Sequence, residues 1–301
     1  MNHVKPTGTR RQWITNAIAL AIAFGAGWLA GSRGGASRSL VDMDIKPEMV
    51  SADSLSSDSV RKSSIEEVLQ LARGALATMS TTCDDYTARF VKQELSSSGT
   101  LSEFSEIQLK VQTRLRNETD DAPKRVYLRF TKPANVDGRE VIWAEDLHDA
   151  KMVVHEAGLL GLVTLRLDPD GLLAMQGQRY PISEIGITRL VEKLIERGEV
   201  DRDNPEIDVT IKSGYPFDNV DAQLIQIRRE RPGQSEDDFS LAEITFDPNR
   251  MLILSYRSFG WPEKPGQTPP LQESYAYHDL AVNVGLTEAD FDPANPDYQF
   301  P

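Results

Sequence analysis

The sequence predicts an α+β fold, in which an antiparallel β-sheet has helices packed against one face and one N-terminal hydrophobic helix precedes it. About ten segments beyond residue 84 alternate apolar and polar side chains, as half-buried strands do. Two segments repeat apolar residues at helical spacing, and the order of elements shows no βαβ rhythm, which argues against a parallel sheet. The 301 residues are 40% hydrophobic, which is enough to bury a core.

The N-terminal hydrophobic helix is predicted from residues 12–32, a run of 21 residues without a charge. At helical rise the run spans about 30 Å, which matches the hydrocarbon core of a bilayer. Trp13 and Trp28 lie near its ends, where indole rings favour the membrane interface. Basic residues precede it, namely Lys5, Arg10 and Arg11. We therefore expect residues 1–36 to anchor the chain in the bacterial inner membrane as a single pass, with the C-terminal domain in the periplasm.

Other uses of this segment stay open. Residues 9–14 resemble a twin-arginine export signal. The small residues at 34–36 offer a rough cleavage site, after which the chain would be secreted to the periplasm. A buried soluble helix is disfavoured because no polar face interrupts the run. Residues 37–63 are rich in Ser and Asp and have no sustained period, which predicts a disordered linker between the segment and a β-rich domain at 64–301.

The charge of the body argues against nucleic acid as a partner. Residues 1–40 carry five basic and no acidic side chains, so the remainder has a formal net charge of −18. Such a body repels phosphate backbones. The single cysteine, Cys83, excludes an intramolecular disulfide and a multi-cysteine metal site. Its acidic neighbour Asp84 discourages the thiolate, so we expect a small buried residue.

Two amphipathic helices are predicted in the body. The first begins after a capping-box pattern and carries an apolar stripe from Ile65 to Met79; the pattern consists of Ser63, Ser64, Glu66 and Glu67. The second has Ser183 as its N-cap and Gly198 as its stop. Its apolar face consists of Ile187, Leu190, Val191, Leu194 and Ile195.

Strands are predicted where the alternation is clearest. At 107–115 the apolar residues Ile107, Leu109 and Val111 alternate with charged and amide side chains. The other predicted strands are 86–91, 126–130, 139–145, 151–156, 161–167, 206–212, 221–230, 239–246, 251–259 and 272–282. Turn sequences rich in Pro, Gly, Asp and Asn separate several of them.

The sequence contains none of the common motifs that would indicate an enzyme. It has no Gly-x-Ser-x-Gly, glycine-rich phosphate loop, His-Glu-x-x-His or dinucleotide fingerprint. We therefore predict no catalytic residue, no metal site and no cofactor. The one loop cluster that an envelope hydrolase would use is Glu145, Asp146, His148 and Asp149, which is also typical of a solvated loop.

Several stretches resemble known families. Residues 86–93, followed by Gly99 and by Phe130-Thr131-Lys132-Pro133, resemble the opening of periplasmic lipoprotein-carrier (LolA-like) folds. Residues 125–130, 138–142, 275–280 and 283–291 resemble an uncharacterised bacterial family, domain of unknown function 1571, over residues 64–301. The resemblance implies a strongly curved sheet, an incomplete barrel, with helices on its concave side. In the carrier group the cavity of that sheet binds acyl chains.

The resemblance leads to the hypothesis of a non-enzymatic cell-envelope protein that binds a lipid or a lipidated partner in an apolar cavity. The side chains expected to line the cavity are Tyr86, Phe90, Leu109, Val111 and Leu128; for the two aromatic residues a place in a solid core is an equal alternative. A membrane-anchored interaction scaffold without a ligand cavity is a second hypothesis, and an envelope hydrolase a third.

Overall fold

The computed structural model describes residues 60–96, 99–114, 122–157, 163–232, 238–264 and 266–301. These residues form one compact unit, and the predicted anchor at 12–32 lies outside them, as do residues 37–59 of the predicted linker. Within the described ranges, no helix combines the length and the apolar character that a membrane crossing requires. Residues 60–63, at the end of the predicted linker, form the first strand.

Twelve strands and two α-helices make up the described chain. The helices are α1 (Ile65–Thr82) and α2 (Ile187–Asp201). The strands are β1 (Val60–Ser63), β2 (Asp85–Glu94), β3 (Ser105–Gln112), β4 (Arg125–Lys132), β5 (Glu140–Ala144), β6 (Met152–His155), β7 (Thr164–Leu167), β8 (Ile207–Phe217), β9 (Val220–Arg229), β10 (Leu241–Asp247), β11 (Leu252–Phe259) and β12 (Leu271–Val282).

All twelve strands belong to one curved antiparallel sheet that does not close, with β1 and β7 as its two edges. Two meanders, β2–β7 and β8–β12, lie side by side because β2 pairs with β12. Helix α1 connects the edge strand β1 to the central strand β2, and α2 lies in the connection from β7 at one edge to β8 near the other. Both helices are therefore crossover connections along the sheet, which explains why they pack on it.

Helix α1 begins where the sequence predicts. The Ser64 side chain accepts a hydrogen bond from the Glu67 backbone N–H at 3.2 Å and caps the helix. Helix α2 differs from the prediction at both ends. It begins at Ile187 because residues 182–184 form a separate 3-10 turn, and it continues through Gly198 to Asp201. Gly198 serves packing instead, because a Cβ atom there would lie 2.8 Å from Leu69 Cδ2 of α1.

The two faces of the sheet are covered differently. One face joins both helices in the main hydrophobic core. The opposite face of β4–β6 carries a small cluster of Tyr127, Ile142 and Val153, which Phe291 covers from the C-terminal side. We call residues 283–301 the C-terminal segment. Its backbone is fixed by the Asp85 carboxylate, which accepts hydrogen bonds from the N–H groups of residues 284–286 at 2.7, 3.3 and 2.9 Å.

Candidate ligand-binding face of the sheet

The five residues predicted to line a cavity lie together on the helix-covered face of β2, β3 and β4. Tyr86 pairs with Val111, Leu109 pairs with Leu128, and Phe90 lies two residues beyond the pair of Ala88 with Leu109. All five are between 1% and 7% exposed and belong to the main core. The structure therefore brings the predicted residues onto one apolar surface and places it beneath a cover.

The cover consists of α1, α2 and the connection at residues 168–186, and we call it the covering layer. Tyr86 fixes the start of α2, because its hydroxyl accepts a hydrogen bond from the Ile187 backbone N–H at 3.0 Å. Gly186 adopts φ of 119° there, and a Cβ atom on it would lie 2.8 Å from the Tyr86 hydroxyl oxygen. Burial raises the pKa of the Tyr86 hydroxyl, so it stays protonated.

Lys124 also holds the covering layer to the sheet, next to Tyr86. Its ammonium group donates hydrogen bonds to the carbonyl oxygens of Ser183, at 2.9 Å, and of Ile185. Burial lowers the pKa of Lys124 to about 8, with a contribution from the positive charge of Arg114. The sequence gives no pattern for this contact, because Lys124 precedes β4 and its partners are backbone atoms far along the chain.

A buried ionic cluster fixes the other end of α2. Arg229 of β9 pairs with Asp201 at the end of the helix, and Arg197 lies 3.1 Å from the same carboxylate. Asp238 pairs with Arg197 and lies 3.6 Å from Arg229. Two positive and two negative side chains thus neutralise each other, which limits the cost of burying them. Helix α2 is held by polar contacts at both ends and by apolar contacts between them.

On the helix-covered face of the sheet, polar side chains replace apolar ones at the end of β2 and the start of β12. Glu94 and Glu273 are paired residues of β2 and β12, and the Tyr275 hydroxyl lies 2.8 Å from Glu94 Oε1 and 3.1 Å from Glu273 Oε2. A hydroxyl carries one proton, so both contacts are hydrogen bonds only when one carboxyl is protonated. Burial raises the pKa of the Glu273 carboxyl, which favours its protonated form. Lys92 and Arg179 balance the remaining charge.

Sequence reasoning missed this polar end, although the alternation contains the necessary information. Glu94 lies four residues after Phe90, and Glu273 lies four residues before Tyr277, so each shares a face with a buried aromatic residue. If the alternation of each strand is continued beyond its buried aromatic residue, both carboxyl groups fall on the covered face.

Apolar side chains reach solvent at the β7 edge of the sheet. Leu172 is 95% exposed, Val163 is 56% exposed and Leu173 is 44% exposed. Leu165 and Leu167 of β7 are half-buried and pack against the main core. Val163 directly precedes β7, and Leu172 and Leu173 follow it in the chain by a few residues. We call Val163, Leu172 and Leu173 the apolar rim.

The loop cluster that a hydrolase would use is engaged in structural contacts. Glu145 accepts a hydrogen bond from the Lys124 backbone N–H at 2.7 Å, and Asp146 pairs with Arg125 at 2.6 Å. The His148 Nε2 atom lies 3.0 Å from the Phe291 carbonyl oxygen, and the Asp149 carboxylate is exposed. Among the described residues, no group of three His, Cys, Asp or Glu side chains is arranged to hold a metal ion. Cys83 is buried, as predicted, and burial raises the pKa of its thiol to about 12.

A family model described as a protein of unknown function, DUF1571, matches residues 83–300. This match covers β2 to β12, both faces of the sheet and the C-terminal segment. The chain belongs to the DUF1571 family. The family resemblance found in the sequence is thereby confirmed. No curated protein matches the chain.

Three solved bacterial structures are among those that align with this DUF1571 protein. A domain from Vibrio parahaemolyticus, described as a putative outer membrane lipoprotein-sorting protein domain, is 12% identical, with 76% of this chain and 97% of that chain covered and a TM-score of 0.34. A LolA superfamily protein from Nitrosomonas europaea is 9% identical, with 73% and 97% covered and a TM-score of 0.29. The MucA/MucB complex of Pseudomonas aeruginosa gives 15% identity, 75% and 60% coverage, and a TM-score of 0.39.

Proposed function

We propose that this DUF1571 domain is a non-enzymatic binding domain of the cell envelope that holds the acyl chain of a lipid or lipidated partner between the sheet and the covering layer. The observation that carries the proposal is the large apolar face buried beneath the covering layer, which extends to Leu165 and Leu167 of the edge strand β7, next in sequence to the exposed apolar rim. We place the helices on the concave side of the sheet, where Tyr86, Phe90, Leu109, Val111 and Leu128 line the acyl-binding surface.

The energetics of the proposal follow from apolar burial. Each methylene group that leaves water for this surface stabilises the complex by about 0.8 kcal/mol. The five lining residues are buried, so in this proposal the ligand enters by parting the covering layer from the sheet. We place the start of such an opening at the apolar rim, because its side chains contact solvent and flank a strand whose residues Leu165 and Leu167 pack against the core.

The non-enzymatic part of the proposal rests on the loop cluster at 145–149. Its carboxylates and its histidine each have a structural contact, except for the exposed Asp149 carboxylate, so the cluster lacks the converging groups of an active site. We further propose that residues 1–36 hold the domain at the inner membrane or direct its export to the periplasm, with residues 37–59 as a linker.

The proposal is tested on the full-length chain purified in CHAPS, a steroid detergent without an acyl chain, and mixed with isotope-labelled palmitate. Native mass spectrometry reports bound palmitate as a mass shift. We expect Leu172→Glu to reduce the bound fraction at least fivefold, because it places a charge at the rim. The matched control is Val200→Glu, which changes an exposed apolar residue of α2 outside the rim. Absence of bound palmitate in the unmodified chain would refute the proposal.

A second function is favoured by the open edge at β7. Strand β7 pairs with β6 on one side and forms the end of the sheet on the other. An added strand from a partner protein would pair with its free edge, and the apolar rim would supply side-chain contacts. Binding of partner protein without any bound lipid would favour this interaction scaffold over the acyl-binding domain.

A further inference from the structure

A cavity lies on the opposite side of the sheet from the covering layer. Its volume is about 550 Å³, and it lies where the C-terminal segment meets β7 and the turn at residues 148–150. The side chains that matter for its chemistry are His148, Arg166, Asp292, Asn295, Tyr298 and Phe300. None of them belongs to the proposed acyl-binding surface, so this cavity is a separate site.

Aromatic residues give the cavity a fixed wall. One face of the Tyr298 ring stacks on Tyr127, with ring centroids 4.1 Å apart, and its hydroxyl donates a hydrogen bond to the Asp290 carbonyl oxygen at 2.7 Å. The Phe300 ring packs on His155, with ring centroids 5.5 Å apart. Three prolines at 293, 296 and 301 complete the wall. A wall held in this way is formed before a ligand binds, which lowers the entropic cost of binding.

The polar groups of the cavity provide both donors and acceptors. The Arg166 side chain is 57% exposed, and its nearest carboxylate, Asp149, lies 3.9 Å away, which is longer than a hydrogen bond. His148 Nε2 carries its proton, because it contacts a carbonyl oxygen that can only accept; in the neutral ring Nδ1 is then an acceptor. Asp292 accepts the Ala294 backbone N–H through Oδ1 at 2.9 Å, which leaves its second oxygen for another donor.

This combination favours a neutral polyhydroxylated ring over other ligands. The positive charge of Arg166 and the negative charge of Asp292 offset each other, so neither an anion nor a cation gains from the cavity as a whole. An acyl chain would leave these polar groups without partners. Neighbouring hydroxyl groups of a sugar can donate hydrogen bonds to a carboxylate and accept them from a guanidinium group. The apolar side of the sugar ring can pack on an aromatic wall.

We propose that the cavity between the C-terminal segment and β7 binds a small saccharide, with its hydroxyl groups on Arg166 and Asp292 and its ring against Tyr298 and Phe300. The DUF1571 domain then has two binding sites of different chemistry on opposite faces of one sheet. The saccharide site is independent of the acyl-binding proposal.

The test is saturation-transfer difference NMR on the full-length chain in CHAPS, a detergent without a sugar group, with glucose, N-acetylglucosamine and galactose, and with benzoate as a simple anion. We expect transfer to at least one sugar, and Arg166→Gln should weaken its binding at least tenfold. The matched control is Arg231→Gln, which changes an exposed arginine beyond the end of β9. Palmitate binding by Arg166→Gln should stay unchanged, which separates the two sites.

Three results would overturn the saccharide proposal. The first is the absence of transfer to every sugar. The second is equal sugar binding by Arg166→Gln and the unmodified chain when circular dichroism shows both to be folded. The third is binding of benzoate that exceeds sugar binding and depends on Arg166, which would make the cavity an anion site.

Discussion

The two faces of the sheet are closed by contacts of different kinds. On the helix-covered face, most core side chains are apolar, and the polar contacts lie at the two ends of α2 and around the buried pair of Glu94 and Glu273. On the opposite face, the apolar cluster is small, and the C-terminal segment is held by hydrogen bonds to Asp85, Gln112 and Glu140. Apolar contacts lack direction, so helices can shift over the first face while keeping much of their burial. The directed bonds of the second face fix one arrangement.

This difference explains why we assign the two faces to different ligands. A surface that opens by sliding of helices suits a flexible acyl chain, whose shape varies. A segment fixed by hydrogen bonds suits a rigid ligand that is recognised by the positions of polar groups. Single substitutions can remove the contacts that hold each cover, and the comparison predicts which part of the molecule each substitution destabilises.

The largest effect is expected at the end of α2. Asp201→Ala removes a carboxylate that partners the buried Arg229 and leaves Asp238 as the one acidic partner of both Arg229 and Arg197 within the cluster. We expect the free energy of unfolding to fall by about 3–5 kcal/mol in urea denaturation. The matched control is Asp208→Ala, whose exposed pair with Lys62 should contribute less than about 1 kcal/mol. Equal effects of the two variants would show that the buried cluster does not hold α2.

A smaller and more local effect is expected on the opposite face. Asp85→Ala removes the acceptor of three backbone N–H groups in the C-terminal segment and should cost about 2–3 kcal/mol. Hydrogen exchange should rise in residues 283–301 and stay unchanged in α1 and α2. Asp84→Ala is the matched control, because its side chain is exposed. Faster exchange in both helices would contradict the independence of the two covers.

The pH dependence of stability tests the contact of Lys124 with the covering layer. The folded-state pKa of Lys124 is about 8, below the unfolded value of about 10.4. The unfolded chain therefore binds more protons between these values, and the contribution of Lys124 to stability increases as the pH rises from 8 to 10.4. We expect a gain on the order of 2 kcal/mol over Lys124→Met between pH 8 and pH 10, measured by urea denaturation. Parallel pH profiles of the two proteins would show that Lys124 is not buried at the start of α2.

The smallest effect is expected where the helices touch. In the interior of an exposed helix, Gly→Ala gains about 1 kcal/mol. At Gly198 the new methyl group would lie 2.8 Å from the buried side chain of Leu69, so we expect Gly198→Ala to lose about 1 kcal/mol. Val200→Ala, at an exposed position of the same helix, should change the thermal midpoint little. A stabilised Gly198→Ala would mean that α1 and α2 separate easily.

The sequence was sufficient for elements whose evidence is local. Ile107, Leu109 and Val111 follow the period of two and lie on the covered face, and Ser64 caps α1. The pairing of β2 with β12 was not predictable, because nearly 190 residues separate Phe90 from its partner Tyr277 and no local pattern specifies which strands meet. The start of α2 was misplaced because its capping acceptor is the hydroxyl of Tyr86, a distant residue.

The candidate site shows the same division. Alternation placed the five lining residues on one face, but it could not show how completely they are covered, because α2 and residues 168–186 arrive from elsewhere in the chain. The C-terminal cavity also has walls from three separate parts of the sequence, so His148 and Arg166 give no sign of their proximity to Tyr298.

The central claim, that the helix-covered face takes up an acyl chain, is tested most directly by photo-crosslinking. The full-length chain would be irradiated with a diazirine-bearing fatty acid, and the labelled peptides would be identified by mass spectrometry. The account predicts labels in β2, β3 and β4 and in the helices that cover them. Labels confined to residues 283–301, or no label that unlabelled palmitate can displace, would contradict it.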